Sequence, residues 1–461
     1  MLQHFTLENF LSFKNKEELK LCPSRGTRMK GHRVEPVKGF TVLKTAAMFG
    51  ANAGGKSNFI KAIDLCKRLI LLGTPSETPI EHYPFRLDSD SKNQDTEFVF
   101  QILYEGRKYE YGFSYNAERI SKEWLKLIKK NSELSIFYRD SLTGQFDLKY
   151  LMSINPKEEE QQFLNFFAKA THPRQLFLHE VINRNLRDNV SNIEDLISVI
   201  DWFANTLKVL FPNTPYKQGG VLKAITNEQL KEVLEKLLRF FDTGIEGIDL
   251  SEVDFNKVEM NSELRQIIKS DLSKSSDNES FGALSLDNNL YLISSHSGDI
   301  KAQKLQTLHK RIDDNGFEQF SLKDESDGTK RIFDYIPLIL DLIQGEKVFI
   351  IDEMERSLHP SLMRKLLDLF YKYSSGESTQ LIFSTHESTL MDQELLRRDE
   401  IWLTEKTKEG ISSLSRLDEK FNLRFDKELE KAYLKGLFGA VSKFESDNVI
   451  TQLIVRMRNE V

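Results

Sequence analysis

The chain has 461 residues, 39% of them hydrophobic and 29% charged, with a formal net charge of −6. That size and balance suit one large or two to three ordinary domains and exclude a disordered chain, while the acidic balance does not favour nucleic acid over the surface as a whole. No run approaches the roughly eighteen apolar residues of a membrane span; two cysteines, Cys22 and Cys66, give neither a disulfide framework nor zinc spacing; and Met1 to Phe5 enters a strand pattern with no signal-peptide layout, so a cytoplasmic location without a membrane partner is expected.

The first fifty residues read as short strands. His4 to Phe10 alternates in part, and Leu11-Ser12-Phe13 follows. Residues 23–36 are rich in Gly, Pro and basic side chains and read as a loop or hairpin. The cluster Arg25, Arg28, Lys30 and Arg33 there is expected to be solvated, and it is the best local candidate for a nucleic-acid contact. From Thr41 an apolar run continues through Phe49 and predicts one buried strand.

That run ends in Gly50-Ala51-Asn52-Ala53-Gly54-Gly55-Lys56-Ser57, which fits G-x-x-x-x-G-K-[ST]. Phe59, Ile60, Ile63, Leu65, Cys66, Leu69 and Ile70 then recur at helical spacing. Strand, glycine-rich turn and helix together make a phosphate-binding loop. Glycines let backbone N–H groups converge on phosphate oxygens, and the helix N-terminus favours an anion. Gly50, Asn52, Gly54, Gly55, Lys56, Ser57 and Asn58 are therefore the candidate nucleotide contacts. Lys56 is expected to reach the β- and γ-phosphates and Ser57 to ligate Mg²⁺. Cys66, on the apolar face of the helix, reads as a core residue.

Glu97 to Tyr104 and Lys108 to Tyr115 predict a hairpin across Glu105-Gly106, with Trp124 to Ile128 as a third strand. From about Asn155 the rhythm becomes helical in three segments, Glu158 to Phe167, Ser191 to Leu210 and Asn227 to Phe241, with Pro212 and Pro215 ending the second. Lys269 to Ser280 reads as a polar mobile loop.

Glu325-Ser326-Asp327-Gly328-Thr329-Lys330-Arg331 precedes an apolar helix. Lys347 to Ile351 then forms an apolar run ending in Asp352-Glu353. A buried strand presenting acids at its C-terminal end suits a site in an open α/β sheet. Asp352 is the candidate metal ligand and Glu353 the candidate general base for an attacking water. Ser357-Leu358-His359-Pro360 turns into a helix, and Gln380 to Thr385 delivers His386, a candidate γ-phosphate contact. His359 reads as structural.

The order of these pieces resembles the ABC-class ATPases, including the SMC-like and OLD-like branches. Against that pattern Ser326 to Arg331 matches the signature motif, Ser357-Leu358-His359 the D-loop and His386 the switch histidine. Only Gln101 is a candidate for the Q-loop. The resemblance implies an α/β fold: an ABC-type ATPase head, with a mixed sheet carrying the phosphate loop, an antiparallel sheet and an inserted helical domain. The expected division is 1–150 for the first lobe, 151–310 for a mainly helical insertion and 311–461 for the second lobe. It also implies ATP and Mg²⁺ as ligands and Lys56, Glu353 and His386 as catalytic groups.

Glu325 to Thr329, Asp352-Glu353 with Ser357 to Pro360, and Tyr433-Leu434-Lys435-Gly436 with Phe438-Gly439-Ala440 resemble a narrower group, the ATPases of bacterial anti-phage defence. The size and layout are similar to the AriA ATPase subunits of PARIS systems. This resemblance implies a homo-oligomer, and the ABC-class pattern implies composite ATP sites in it, in which Ser326 and Gly328 of one chain face the nucleotide held by Lys56, Asp352 and Glu353 of another. It implies a scaffold that holds a separate Toprim nuclease and releases it on sensing a phage protein, with residues 155–243 as the candidate contact. The alternative is an SMC-like DNA-repair ATPase, and direct nucleic-acid binding stays open. A transporter subunit fits poorly with the large insertion, and a one-chain OLD-like nuclease fits poorly with the short tail after His386.

Overall fold

The computed structural model describes residues 1–441 except 27, 76, 213–215, 217–220, 223–224, 275–278, 297–298, 375 and 422–427. In chain order its strands are β1 (Leu2–Glu8), β2 (Glu17–Lys20), β3 (Arg33–Val37), β4 (Phe40–Leu43), β5 (Thr45–Gly50), β6 (Thr96–Tyr104), β7 (Arg107–Tyr115), β8 (Ile120–Ile128), β9 (Glu133–Asp140) and β10 (Gln145–Asp147). They continue as β11 (Leu207–Leu210), β12 (Gly247–Val253), β13 (Glu279–Leu286), β14 (Asn289–His296), β15 (Asp299–Lys310), β16 (Phe317–Ser321), β17 (Val348–Ile351), β18 (Gln380–Ser384), β19 (Ile401–Lys406) and β20 (Ser412–Arg416).

The apolar run before the phosphate loop is two strands rather than one. At the fully buried Lys44 the backbone changes partners: its N–H donates to His32 O at 2.8 Å, and its carbonyl accepts from Leu381 N at 2.8 Å. Residues before it pair as β4 with β3. Residues after it form β5, in which all six residues are buried. Such a strand needs cover on both faces and partners on both edges. β5 has them, lying between β18 and β19 in a six-stranded sheet of order β11-β17-β18-β5-β19-β20. β17, β18, β5 and β19 run parallel, and β20 returns antiparallel to β19.

This sheet belongs to a compact unit made of Met1–Val209, Lys347–Glu353 and Gln380–Val461. The same unit holds the expected hairpin, β6 with β7, inside a seven-stranded antiparallel sheet of order β10-β9-β8-β7-β6-β1-β2. Helix α1 (Lys56–Leu71) buries Phe59, Ile60, Ile63, Cys66 and Ile70. Phe5 of β1 meets Phe59 edge-on, with ring centroids 5.3 Å apart, and stacks near Phe98 and Phe100 of β6. Each such ring contributes about 1.5–3 kcal/mol by burial, so this aromatic layer holds α1 against the antiparallel sheet. Cys66 is a core residue as expected, and burial pushes its thiol well up. Both cysteines are free thiols.

The second helical segment stops earlier than its apolar stripe suggests. Helix Glu194–Asp201 passes into a π-helical turn, Trp202–Thr206, and then into β11. Lysines take up the carbonyls released there. Lys208 Nζ donates to Ala204 O, Lys347 Nζ to Asn205 O and Lys67 Nζ to Leu207 O, at 2.6–3.0 Å. The chain thereby gains an edge strand in place of another helical turn.

The other compact unit is Leu210–Glu346 with Met354–Thr379. Its helix Glu228–Phe240 starts at the N-cap Asn227, whose side chain accepts from Leu230 N at 3.2 Å. The stretch 151–310, expected to be mainly helical, carries a second kind of structure after Phe240. Strands β12 to β16 form an antiparallel sheet of order β12-β15-β14-β13, with β16 paired to β15. Phe255, Val258, Ile293 and Ala302 are its core. The expected loop Lys269 to Ser280 is instead the end of helix Ser262–Lys274 and the start of β13, with 275–278 outside the described residues. Pro215, expected to end a helix, also lies outside them. Helices Asp327–Gln344 and Pro360–Tyr373 complete the unit. Among the described residues no helix is long and apolar enough to cross a membrane.

Candidate functional site

β5 ends at Gly50, and the loop that follows is built on close approaches that only glycine permits. A Cβ on Gly50 would collide with Thr404 Oγ1 and lie 2.5 Å from the Thr404 carbonyl oxygen, both on the neighbouring β19. A Cβ on Gly55 would lie 2.7 Å from Ser412 Oγ, and Gly55 has φ 118°, which favours glycine. Ala53 also has a left-handed backbone, with φ 62°. The chain is thus forced to turn tightly into α1, whose first-turn N–H groups have no partner within the helix. No acidic side chain occupies that first turn. A glycine cradle, the first-turn amides and the positive helix end make an anion site.

Lys56 opens α1 and is 5% exposed. Its Nζ donates to Gly50 O at 2.7 Å and Ala51 O at 3.3 Å, and lies 3.5 Å from His386 Nδ1. The next residue, Ser57, donates from Oγ to Asp352 Oδ1 at 3.1 Å. Asp352 directly follows β17 and is 3% exposed. The parallel arrangement explains the meeting: β5, β18 and β17 are adjacent, so their C-terminal ends bring Gly50, Ser384 and Asp352 to one edge of the sheet.

Ser384, which sequence reasoning passed over, organises the acids. Its Oγ donates to Asp352 Oδ1 at 2.6 Å and accepts from Glu353 N at 2.8 Å. Glu353 has φ 48°, a conformation that costs a non-glycine residue about 1–3 kcal/mol. The Ser384 hydroxyl, accepting from its N–H, holds it there. The available signal was the phrase Ser384-Thr385-His386 closing an apolar strand.

A divalent cation fits this donor set. A serine hydroxyl and a carboxylate are hard oxygen ligands already 3.1 Å apart, and Mg²⁺ usually takes one or two protein oxygens and completes its shell with phosphate and water. Asn58 donates instead to Ser12 Oγ at 2.8 Å, and Ser12 bonds Ser412 Oγ at 2.8 Å, which ties the loop's helix to the N-terminal segment and β20. Asn52 is exposed in the turn, and His386 is exposed beyond β18. Gln101 lies within β6, and its amide donates to Glu110 on β7 at 3.0 Å.

Behind the loop sits Tyr433, one of the residues in the tail phrase. Its ring lies 6.3 Å from that of Phe49, and its hydroxyl donates to Ala440 O at 3.2 Å. Burial pushes its phenol up, against a hydrogen bond from the Gly50 backbone. Ala440 N donates to Glu405 Oε1 at 3.1 Å, next to Thr404. The phrase therefore braces the base of the glycine loop.

Ser326 and Gly328 belong to the other compact unit. Ser326 caps helix Asp327–Gln344, accepting from Thr329 N at 3.1 Å. A Cβ on Gly328 would lie 3.0 Å from Ser357 O, and Ser357 has φ 62°. The expected signature and D-loop are therefore neighbours. The preceding Glu325 accepts from Thr307 Oγ1 at 2.5 Å and lies 2.7 Å from His309 Nε2, which ties the cap to β15.

A family model described as "AAA domain, putative AbiEii toxin, Type IV TA system" matches residues 46–392. Similar solved structures include the SMC head domain from Thermotoga maritima, at 12% identity and TM-score 0.35, with 90% of this chain and 98% of that chain covered. Another is the SmcHead bound to the C-winged helix domain of ScpA, at 14% identity and TM-score 0.40, with 91% and 99% covered. No curated protein matches.

Proposed function

The chain belongs to the AAA-domain family whose description names a putative AbiEii toxin of a type IV toxin–antitoxin system, and from that premise we propose that it binds and hydrolyses ATP with Mg²⁺. The observation that carries this reading is the meeting of Ser57 and Asp352 at 3.1 Å beside the buried Lys56. In this reading the first-turn amides of α1 and the Lys56 ammonium hold the phosphates. Ser57 and Asp352 hold the ion, which when bound neutralises phosphate charge. Glu353 accepts a proton from the attacking water, and His386 donates to the γ-phosphate.

The finer reading concerns assembly. Ser326 and Gly328 begin an 18-residue helix whose N-terminus suits an anion, and in our reading they face the γ-phosphate held by another copy of the chain. The resulting homo-oligomer would act in the cytoplasm as the scaffold of an anti-phage system of the PARIS type. It would hold a separate Toprim nuclease and release it on sensing a phage protein. The motif phrases, including the tail that braces the phosphate loop, support that reading. Nucleotide titration with and without Mg²⁺ tests the ATPase claim: Lys56→Ala and Asp352→Asn should each lose Mg²⁺-dependent ATP binding, and undiminished affinity in both would overturn the site. Co-expression with the neighbouring gene tests the scaffold claim, which fails if the two products never associate.

A further inference from the structure

β1 carries a bulge. Leu2 pairs with Ile102 and His4 with Gln101, so Gln3 is an extra residue opposite β6. A bulge re-aims the side chains around it. On the other edge of β1 the pairing runs past the end of β2, where Leu21 N donates to Gln3 O at 2.8 Å. Cys22 is thereby delivered to the bulge. His4 Nε2 lies 3.1 Å from the Sγ of the half-buried Cys22, and His4 Nδ1 lies 2.7 Å from Glu18 Oε1 on β2. The Glu18 carboxylate is itself held by Lys20, whose Nζ is 3.1 Å from Oε2.

Thiol, imidazole and carboxylate stand in one hydrogen-bonded row, the order in which a base oriented by a third group activates a nucleophile. Glu18 keeps the ring proton on Nδ1, so Nε2 accepts from the thiol. Burial pushes the Cys22 thiol up and pulls the His4 imidazole down, so near neutrality the pair rests as thiol and imidazole. Burial alone would leave such a thiol inert. The groups around the sulfur oppose it: a hydrogen bond from the Gln3 side chain, then the charges of Lys108 and Arg416, favour the thiolate, and only the Glu18 charge works against it. At the ring, Glu18 favours the imidazolium, while Lys108 and Lys20 oppose it. Gln3 is 9% exposed, and its Oε1 meets no donor among the described residues. Its amide therefore serves the sulfur rather than the fold.

We propose that Cys22 is a reactive thiol that exchanges with small disulfides, with His4 as its base and Glu18 as the residue that positions His4. The Cys22 S–H bond breaks as its proton passes to His4 Nε2. The thiolate bonds to one sulfur of the incoming disulfide. The other sulfur leaves with the bonding pair and takes the proton from His4. One disulfide replaces another: Cys22 is oxidised and the released thiol is reduced. His4 and Glu18 also line a cavity of about 340 Å³, with Thr6 and Trp124 among its walls. That volume suits a small molecule and gives the incoming disulfide room beside the ring.

The test treats the full wild-type chain, without nucleotide, with oxidised glutathione and follows intact mass, with peptide mapping to locate the adduct. We expect one adduct, on Cys22 and not on Cys66, formed at least about tenfold faster at neutral pH than on a peptide of residues 19–25. The rate should stay flat between the imidazole and thiol titrations. In His4→Gln it should fall at least about tenfold and then climb about tenfold per pH unit, as an unassisted thiol does. Glu18→Gln should slow the reaction at least about threefold. An adduct on Cys66 instead, a Cys22 rate no higher than the peptide's, or a His4→Gln profile that matches the wild type overturns the proposal. If His4→Gln melts early, Glu18→Gln stands in, and a loss under about threefold overturns the proposal. ATP binding is scored separately, so failure here leaves the glycine-loop reading intact.

Discussion

Replacing Gly50 by alanine tests how rigidly β19 backs the phosphate loop. The new methyl would collide with Thr404 Oγ1 and lie 2.5 Å from the Thr404 carbonyl oxygen. Ordinary contact needs roughly 3.5 Å, so the backbones must separate by about 1 Å. Gly50 and Thr404 are register partners in the parallel pair β5–β19, and a separation of that size breaks a ladder hydrogen bond as well as crowding the site. Overpacking at about 1–3 kcal/mol and a lost hydrogen bond at about 1 kcal/mol together predict a loss of about 2–4 kcal/mol. Thr404→Ala removes the hydroxyl collision but leaves the carbonyl, so it should restore less than half. Urea denaturation of the wild type, both single variants and the double variant measures this, with ATP titration in parallel. A Gly50→Ala chain within about 0.5 kcal/mol of wild type, with unchanged ATP affinity, would refute the idea of a rigid backing strand.

Glu353→Gln should bind ATP as the wild type does and hydrolyse it about 10²–10⁴ times more slowly; wild-type turnover would place the base elsewhere. Lys56→Ala and Gly328→Asp chains should each be inactive alone and partly active when mixed, because one intact composite site forms; no recovery despite demonstrated exchange would exclude the trans arrangement. Asp399→Asn should cost about 3–5 kcal/mol near neutrality by leaving buried Arg397 without its counter-charge. Burial alone would raise the Asp399 carboxyl, but Arg397 and Ser24 hold it below the ordinary range. A depressed carboxyl stabilises above its unfolded value and loses that effect as pH falls through its folded value. The difference in melting temperature should therefore shrink as pH is taken below about 4, and a penalty constant with pH would contradict the assignment.

The glycine loop, the acids after β17 and the strand leading to His386 were legible because each couples an apolar run to an unusual polar ending. Ser384 and Thr404 were not, since a serine or threonine in a strand carries no mark of what the neighbouring strand presents. The sheet of β12 to β16 was hidden for another reason. In β15 the buried positions are Ala302, Leu305 and Thr307, which breaks the two-residue rhythm that marks a strand, and Lys301, Gln303, Lys304, Gln306 and Lys310 are scattered among the others. The stripe through Phe203, Leu207 and Leu210 misled in the opposite direction. It keeps helical spacing across residues that leave the helix to pair at the sheet edge, where tertiary contact outweighs local preference.

The placement of β5 sets when this protein can come together during synthesis. Both of its sheet partners are encoded late, β18 beginning at Gln380 and β19 at Ile401. Gln380 also ties the chain's opening strand: its side chain accepts from Leu2 N at 2.6 Å and donates to Leu2 O at 2.8 Å and Leu43 O at 2.9 Å. At about 5–20 residues per second, the ribosome adds β18 roughly 20–70 seconds after Gly50. Until then the phosphate loop hangs from an apolar strand with no ladder on either side. Such a strand is an aggregation hazard while it waits, and nucleotide can join the nascent chain only once β18 and β19 have been made.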